Sequence, residues 1–180
     1  MHEVVVDLKK IEIGTNPPEE VNVIIEIPAG SNPVKYEFDK ASGALFVDRF
    51  IQVAMHYPCN YGFIPHTLSY DGDPCDVLVI SDFPVVPGSV IQARPIGVLL
   101  MEDESGFDEK ILAVPTTKLS QYYIDIKSYK DLPDIVVQRI THFFENYKIL
   151  EQNKWVKVQG WKDADHAKHK INESIARAKI

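Results

Sequence analysis

Three aspartates stand within six residues near the middle of the chain, at Asp71, Asp73 and Asp76, with no basic residue among them. Gly72 and Pro74 lie between them and indicate a turn, so the three carboxylates can point into one space. Two bare carboxylates about 4 Å apart repel each other by roughly 4 kcal/mol at an effective dielectric of about 20. The run therefore predicts either a divalent-cation site or an acidic turn whose side chains diverge into water.

A second acidic stretch contains Glu102, Asp103 and Glu104, and Asp108 follows it. This stretch comes directly after a long apolar strand pattern, so the two acidic loops could face each other on one small barrel. Oxygen ligands favour Mg²⁺ or Mn²⁺ over zinc, and no His or Cys stands at a useful spacing. The alternative without a metal is again an acidic loop whose side chains are solvated.

The first acidic run differs from two well-known aspartate-rich loops. An EF-hand needs an oxygen ligand at its fifth position, Gly at the sixth and Glu at the twelfth, where this chain has Cys75, Asp76 and Asp82. An aspartyl-nucleophile phosphatase would have an apolar strand directly before Asp71, whereas residues 67–70 read Thr-Leu-Ser-Tyr. An EF-hand is therefore excluded, and an aspartyl-nucleophile phosphatase is disfavoured but stays open.

Basic and aromatic residues accompany the acidic runs. Lys35 and Glu37 lie on the same face of a predicted strand, about 6.6 Å apart along it. Arg49 ends another strand pattern beside Asp48, and residues 57–63 are unusually rich in aromatic and turn residues. Taken singly, such charges are most often surface ion pairs of little energetic worth. Their combination with the acidic runs favours a site for an anion held together with cations.

The elements that must position these side chains are mostly short strands in the first two thirds of the chain. Gly, Pro and Asn turn residues separate apolar or alternating runs there. The predicted strands are residues 21–27, 34–38, 44–50, 77–80, 90–101 and 111–114. Strands of this regularity predict a small closed or nearly closed barrel.

The last third changes to a helical period. One apolar stripe contains Val136, Ile140, Phe143, Phe144, Tyr147 and Leu150. Asp131 is the predicted N-cap of this helix, with Pro133 in its first turn. After a short strand at residues 155–161, Asp163 is predicted to begin a second helix. No linker or repeat interrupts the chain, so residues 1–180 are expected to form a single domain.

For three residues near the acidic runs, the sequence is compatible with an ordinary structural role as well as with a role in the site. Tyr147 lies on the apolar helix stripe, so its default role is core packing, while Lys148 beside it is by default solvated. Lys110 follows Asp108 by two residues. All three could instead point at the acidic site, and periodicity alone leaves this open.

Composition limits the function further. The 180 residues are 45% hydrophobic and 25% charged, which is ordinary for a globular protein, and the net charge of −7 argues against general nucleic-acid binding. Cys59 and Cys75 are expected to be reduced core thiols. Residues 1–6 lack the pattern of a secretory signal, and no apolar run approaches the roughly 18 residues that span a bilayer. A cytoplasmic protein without a membrane segment is expected.

Taken together, these motifs resemble the soluble family I inorganic pyrophosphatases of bacterial type. The matching blocks cover most of the chain in the family's order: Ile25-Glu26-Ile27-Pro28, Lys35-Tyr36-Glu37, residues 42–49, residues 57–62, residues 71–77, residues 103–110 and residues 142–148. The resemblance implies a mainly β fold with flanking helices (α+β), built on a five-stranded OB-like barrel. It also implies hydrolysis of pyrophosphate to two phosphates by direct attack of a metal-activated water, with several Mg²⁺ ions or Mn²⁺ as a substitute.

The resemblance also implies a role for each matching residue. Direct metal ligands are implied at Asp71, Asp76, Asp103 and Asp108, with Glu26 binding metal through water and Asp73 as general base. The implied phosphate clamp consists of Lys35, Arg49, Lys110, Tyr147 and Lys148, and the supporting residues are Glu37, Tyr57 and Tyr61. Pyrophosphate and phosphate are the implied partners, and a homo-oligomer, typically a hexamer, is the implied assembly. This chain departs from a common bacterial pattern at Asn146, where that pattern has a second histidine after His142.

Two rival functions remain compatible with the sequence. A non-catalytic cation-binding barrel would explain the aspartates but not the ordered Lys, Arg and Tyr residues. A Mg²⁺-dependent hydrolase of nucleoside di- or triphosphates would need a base pocket, which the aromatic residues could supply. Phosphate release from pyrophosphate and from ATP separates the three possibilities.

Overall fold

The computed structural model describes residues 7–179, so the expectation about a signal at residues 1–6 falls outside it. The strands are β1 (Val21–Ile27), β2 (Val34–Phe38), β3 (Leu45–Phe50), β4 (Asn60–Phe63), β5 (Asp76–Val79), β6 (Val90–Asp103), β7 (Gly106–Phe107), β8 (Lys110–Pro115) and β9 (Val156–Lys162). The helices are α1 (Asp134–Asn146) and α2 (Ala164–Ala178), and short 3₁₀ turns occupy Leu8–Lys10 and Tyr129–Asp131.

Five strands close into a ring. β1 pairs with β4 and with β6, β4 pairs with β5, β5 pairs in parallel with β8, and β8 returns to β6. Full closure removes the exposed strand edges that an open sheet would present. The predicted five-stranded OB-like barrel with flanking helices is therefore confirmed.

Both faces of the barrel strands are buried, which explains their nearly continuous apolar runs. Alternate residues of β5 go to different clusters because successive side chains in a strand point to opposite faces. Val77 packs in a cluster that includes Ile171 of α2, while Leu78 packs in one that includes Phe143 of α1. The two helices thus cover opposite sides of the same strands.

Cys59 and Cys75 are both buried and free, as expected for core thiols. Burial raises the pKa of each thiol to about 12. Neither helix within residues 7–179 is long and apolar enough to cross a membrane.

The start of α1 differs from the prediction. Pro133 occupies the N-cap position with extended backbone angles, and the helix begins at Asp134. Asp131 belongs instead to the preceding 3₁₀ turn, where its Oδ2 accepts bonds from the backbone N–H groups of Lys127 (2.9 Å) and Ser128 (2.8 Å). The prediction of Asp131 as the helix N-cap and of Pro133 in the first turn was therefore wrong, because an earlier turn takes the carboxylate first.

The end of α1 also differs. The apolar stripe predicted one helix as far as Leu150, but the helix ends at Asn146 with Tyr147 as its C-cap. Leu150 lies in the following turns with 65% of its surface exposed. Tyr147 and Lys148 therefore lie at the turn that follows α1, so the 3.6-residue helical period does not determine where the Lys148 side chain points.

Sequence patterns also missed strand β4, because Asn60–Phe63 lies in a segment rich in aromatic and turn residues. Gly62 allows this strand to approach β1 closely. A Cβ at position 62 would lie 2.0 Å from the carbonyl oxygen of Ile24. Close strand approach, rather than a turn, is thus the reason for this glycine.

Candidate active site

The centre of the site is created by the parallel pairing of β5 with β8. Asp76 and Lys110 are the first residues of these strands and lie directly opposite each other. The Lys110 Nζ atom is 2.5 Å from Asp76 Oδ2 and 2.5 Å from Asp108 Oδ1. Burial alone would lower the pKa of the ammonium, but the carboxylates of Asp108 and Asp76 outweigh it and raise that pKa well above its ordinary value. Lys110 is therefore held charged between two aspartates.

The turn before β5 carries the other two aspartates of the first acidic run. Gly72 has a φ of 92°, a region that favours glycine, and the backbone N–H of Asp73 donates to Asp71 Oδ1 at 3.0 Å. Although Asp71 as a residue is exposed, desolvation of its carboxylate raises its pKa. The side chain of Asp73 is 60% exposed, and its Oδ1 is 2.9 Å from Lys40 Nζ. The turn thus fixes Asp71 and leaves Asp73 facing solvent.

The second acidic run places Asp103 at the end of β6, where the chain turns into β7. The backbone N–H of Ser105 donates to Asp103 Oδ1 at 2.8 Å. The other oxygen, Oδ2, is 2.5 Å from the Nζ atom of Lys148, and both side chains are buried. Asp103 is therefore compensated by a lysine that comes from the turn after α1.

Glu26 is a buried carboxylate that makes no ion pair with a basic side chain among residues 7–179. It lies on β1, is buried, and its Oε1 accepts a 2.9 Å bond from the backbone N–H of Phe38. Burial raises the pKa of Glu26 to about 8, and the bond from Phe38 opposes this only in part. A nearby cation would favour the ionised form of this carboxylate.

Three buried tyrosines form the floor between the lysines and the core. The rings of Tyr57 and Tyr61 have centroids 5.2 Å apart, and the Tyr147 ring stacks on Phe143 at 5.3 Å. The Lys110 Nζ atom is 5.6 Å from the Tyr61 ring centroid. Burial raises the pKa of all three phenols, so each hydroxyl keeps its proton. The tyrosines can therefore donate hydrogen bonds into the site.

The β2–β3 hairpin brings further cations to the site. Lys35 and Arg49 are cross-strand partners in this hairpin. The Lys35 Nζ atom is 3.6 Å from Glu37 Oε2 and 3.3 Å from Asp48 Oδ2. Both basic side chains are about three quarters buried, so their charges act in a partly desolvated environment.

One cavity of about 250 Å³ lies among these side chains. Every site residue suggested by the sequence lines it: Glu26, Lys35, Glu37, Arg49, Tyr57, Tyr61, Asp71, Asp73, Asp76, Asp103, Asp108, Lys110, Tyr147 and Lys148. The structure thus gathers in one place residues that come from seven strands and four connecting segments.

The cavity also contains charged residues that sequence reasoning did not assign to the site. Lys40 reaches Asp73 from the β2–β3 turn. Lys154 places its Nζ atom 2.6 Å from Glu104 Oε1, a pair that lines the same cavity. Glu104 had appeared only as part of an acidic run. Its separation from Lys154 by 50 residues offers no local pattern that could have revealed the pair.

The donor set of the cavity fits hard divalent cations. Its acidic side chains supply only oxygen ligands, and three of them, Glu26, Asp71 and Asp76, have raised pKa values because burial is incompletely compensated. Within residues 7–179, no three His, Cys, Asp or Glu side chains form a closed metal-binding group. Instead the ammonium groups of Lys110 and Lys148 lie against the aspartates, at positions where positive charge is favoured.

Fold and cavity together define a class of protein: an OB-like barrel with a cavity in which carboxylates face lysine, arginine and tyrosine side chains. A sequence model described as inorganic pyrophosphatase matches residues 23–179. The chain therefore belongs to the inorganic pyrophosphatase family, whose members are generally metal-dependent.

Individual relatives agree with this assignment. An inorganic pyrophosphatase from Rickettsia conorii is 66% identical over 158 residues, covering 88% of this chain and 91% of the relative. A crystal structure named as an inorganic phosphatase from Anaplasma phagocytophilum has a TM-score of 0.92 and 57% identity, covering 94% of this chain and 100% of the other. The inorganic pyrophosphatase from Thermus thermophilus has a TM-score of 0.91 and 45% identity, covering 97% and 99%.

Proposed function

We propose that this chain hydrolyses pyrophosphate to two phosphates with the help of several Mg²⁺ ions, for which Mn²⁺ can substitute. The main support for this proposal is that carboxylates from two acidic segments face lysine, arginine and tyrosine side chains within one cavity. A purely cation-binding protein would have no use for the basic side chains. Family membership adds the expected substrate.

The proposed metal ligands are Asp71, Asp76, Asp103 and Asp108, with Glu26 acting through a water molecule. These carboxylates come from both acidic segments, so binding requires the segments to stay close together. When bound, divalent cations neutralise the oxygens of the substrate and lower the pKa of a water molecule from 15.7 towards roughly 7. Desolvation at Glu26 and Asp71 supports this assignment, because each carboxylate would gain from a nearby positive charge.

Asp73 is the proposed general base. Its side chain is 60% exposed, against 22% for Asp76, and its partner Lys40 is itself about half exposed. An accessible carboxylate in a solvent-exposed ion pair can exchange that partner for a water molecule. Asp73 would then accept the proton of the attacking water and orient it for direct attack on phosphorus. No covalent intermediate with the protein is needed.

The proposed phosphate clamp consists of Lys35, Arg49, Lys110, Tyr147 and Lys148. Lys110 and Lys148 lie against aspartates in this structure, so we expect them to turn towards phosphate oxygens when cations take over the carboxylates. Burial strengthens each contact that develops with the charge of the leaving phosphate. Glu37, Tyr57 and Tyr61 are assigned supporting roles, since they orient the clamp residues around the cavity.

The function is tested by comparing two substrates under two metal conditions. We expect phosphate release from pyrophosphate in the presence of Mg²⁺, little release from ATP, and loss of activity with a chelator. A cation-binding protein without activity would release phosphate from neither substrate. A preference for ATP over pyrophosphate would support a nucleotide hydrolase and contradict the proposal.

Replacement of Lys148 by alanine is expected to weaken substrate use more than metal binding. A lost charge-assisted contact to phosphate should raise the KM for pyrophosphate by about 10- to 100-fold. Metal affinity should change less, because the substitution removes a competitor of the cation at Asp103 rather than a ligand. Steady-state kinetics and calorimetric Mg²⁺ titration of the same preparations measure the two effects.

Lys118→Ala is the matched control for Lys148→Ala, because Lys118 is exposed after β8 and does not line the cavity. It should leave both quantities near the unmodified values. An Mg²⁺ affinity that drops as far as substrate affinity in Lys148→Ala would show that this lysine does not act through phosphate.

The wider context is proposed from the family. We expect one domain over residues 1–180, a cytoplasmic location and a homo-oligomer, with a hexamer as the typical assembly. Exposed apolar side chains at Phe46, Val47 and Phe50 of β3 support a surface that is covered by another copy.

A further inference from the structure

Helix α2 is hydrogen-bonded to the segment that precedes the first acidic run. The backbone N–H of Leu68 donates to the carbonyl oxygen of Ser174 at 3.0 Å. The Nη1 atom of Arg177 donates to the carbonyl oxygen of Leu68 at 2.6 Å. Both backbone groups of Leu68 are thereby fixed to the helix, three residues before Asp71.

The same arginine also holds the residue next to Asp71. The guanidinium carbon of Arg177 lies 3.8 Å from the ring centroid of Tyr70, the distance of a stacked cation–π contact. Lys170 approaches the same ring, with its Nζ atom 5.9 Å from the centroid. Tyr70 is 62% exposed, so packing in the core does not explain its position. The contact with α2 is what places this ring.

Two turns earlier on the helix, Lys170 contacts the second acidic segment. Its Nζ atom is 3.1 Å from Oε1 of Glu109, the residue between Asp108 and Lys110. Lys170 and Arg177 are seven residues apart and therefore lie on one face of α2. A cavity of about 20 Å³ separates this face from the acidic segments; Asp71, Asp76 and Asp108 line one side of it. Helix α2 thus contacts both acidic segments on the side that faces away from the large cavity.

We propose that Lys170 and Arg177 are positioning residues that hold the two acidic segments at the separation needed for cation binding. The inference rests on the proposed metal role of Asp71, Asp76 and Asp108. Clustered carboxylates repel one another, and before cations bind, Lys110 offsets this repulsion between Asp76 and Asp108 but makes no ion pair with Asp71. Basic side chains that tie each segment to one rigid helix oppose separation of the segments without entering the catalytic cavity. Groups behind a metal site commonly tune its affinity in this way.

The test measures Mg²⁺ binding directly, by calorimetry without pyrophosphate, on Lys170→Met and its matched control Lys168→Met. Lys168 lies on the same helix and pairs with Glu19 at 2.5 Å, away from both acidic segments. We expect Lys170→Met to bind Mg²⁺ about tenfold more weakly than the control, because one acidic segment loses its ion pair with the helix. Lys170→Arg, which keeps the charge facing Glu109, should restore most of the affinity.

Arg177→Met tests the same inference at the other acidic segment. It removes the bond to Leu68 and the contact with Tyr70, and should also weaken Mg²⁺ binding relative to Lys168→Met. Tyr70→Phe, which keeps the ring, should bind Mg²⁺ as the unmodified chain does. Thermal unfolding in chelator shows whether Lys170→Met and Lys168→Met are equally folded, so that a loss of affinity reflects the site.

Equal Mg²⁺ affinities for Lys170→Met and Lys168→Met would overturn the inference, as would a loss that Lys170→Arg does not restore. The proposed function is judged separately, by phosphate release from the unmodified chain. A chain that binds Mg²⁺ but releases no phosphate would remove that function and leave the comparison of variants intact. A chain that binds no Mg²⁺ would overturn both.

Discussion

Asp73→Asn is expected to lower kcat for pyrophosphate by about 100- to 10,000-fold while leaving the fold and the affinity for Mg²⁺ largely unchanged. Asparagine has nearly the same shape as aspartate but cannot accept a proton from the attacking water. The side chain is exposed and makes no contact with the core, so unfolding temperature should not fall. Phosphate release in excess Mg²⁺, circular dichroism and metal titration measure the three quantities.

Lys40→Met is the control for Asp73→Asn, because it removes the ion pair of Asp73 without removing the proposed base. It removes the 2.9 Å contact between Lys40 Nζ and Asp73 Oδ1 but keeps the carboxylate. Because exposed ion pairs are weak, this variant should lose less than about tenfold in kcat. Near-normal phosphate release by Asp73→Asn in excess Mg²⁺ would remove Asp73 from the role of base.

Asp76→Asn is the second substitution with a large expected effect, and it should impair metal binding as well as turnover. Asp76 stands at the start of β5 with its carboxylate 2.5 Å from Lys110, at the centre of the charged cluster. Removing its negative charge weakens the attraction for divalent cations, since ligand charge sets their affinity. We expect Mg²⁺ affinity to fall by about tenfold or more and kcat by about 100-fold or more.

The control for Asp76→Asn is Asp165→Asn, an equal change of charge in the exposed first turn of α2. It should alter neither Mg²⁺ affinity nor kcat. The contrast with Asp73→Asn is the sharper test, because only the Asp76 variant is expected to lose metal affinity. If both variants lost Mg²⁺ affinity to the same extent, the division between base and ligand would be wrong.

The arrangement of charges explains how so acidic a cavity is stable before cations arrive. Lys110 bridges Asp76 and Asp108, and Lys148 covers Asp103. Buried carboxylates without such partners would carry a large desolvation cost. The same lysines belong to the proposed phosphate clamp, so cation binding and substrate binding are linked through a shared set of side chains.

Local patterns predicted some elements well and others badly, for identifiable reasons. β1 and β2 were predicted at their observed boundaries, because alternation and turn residues are local properties. Strand β4 was missed because its pairing with β1 depends on Gly62, whose role is visible only when the two strands meet. The N-cap at Asp131 was wrong because two kinds of turn compete for one carboxylate, and their relative stability depends on neighbouring contacts.

The amino-acid sequence alone specified which chemical groups are present: two acidic runs, a set of lysine, arginine and tyrosine residues, strand and helix periodicity, and blocks in the order of a known family. Which of these groups meet depends on how the chain folds. Asp76 faces Lys110 because β5 and β8 pair in parallel, and Lys148 reaches Asp103 across 45 residues. The same holds for Lys40, Lys154 and the contacts of α2. Such contacts are formed by chain closure over long separations, whereas spacing along a sequence describes only near neighbours.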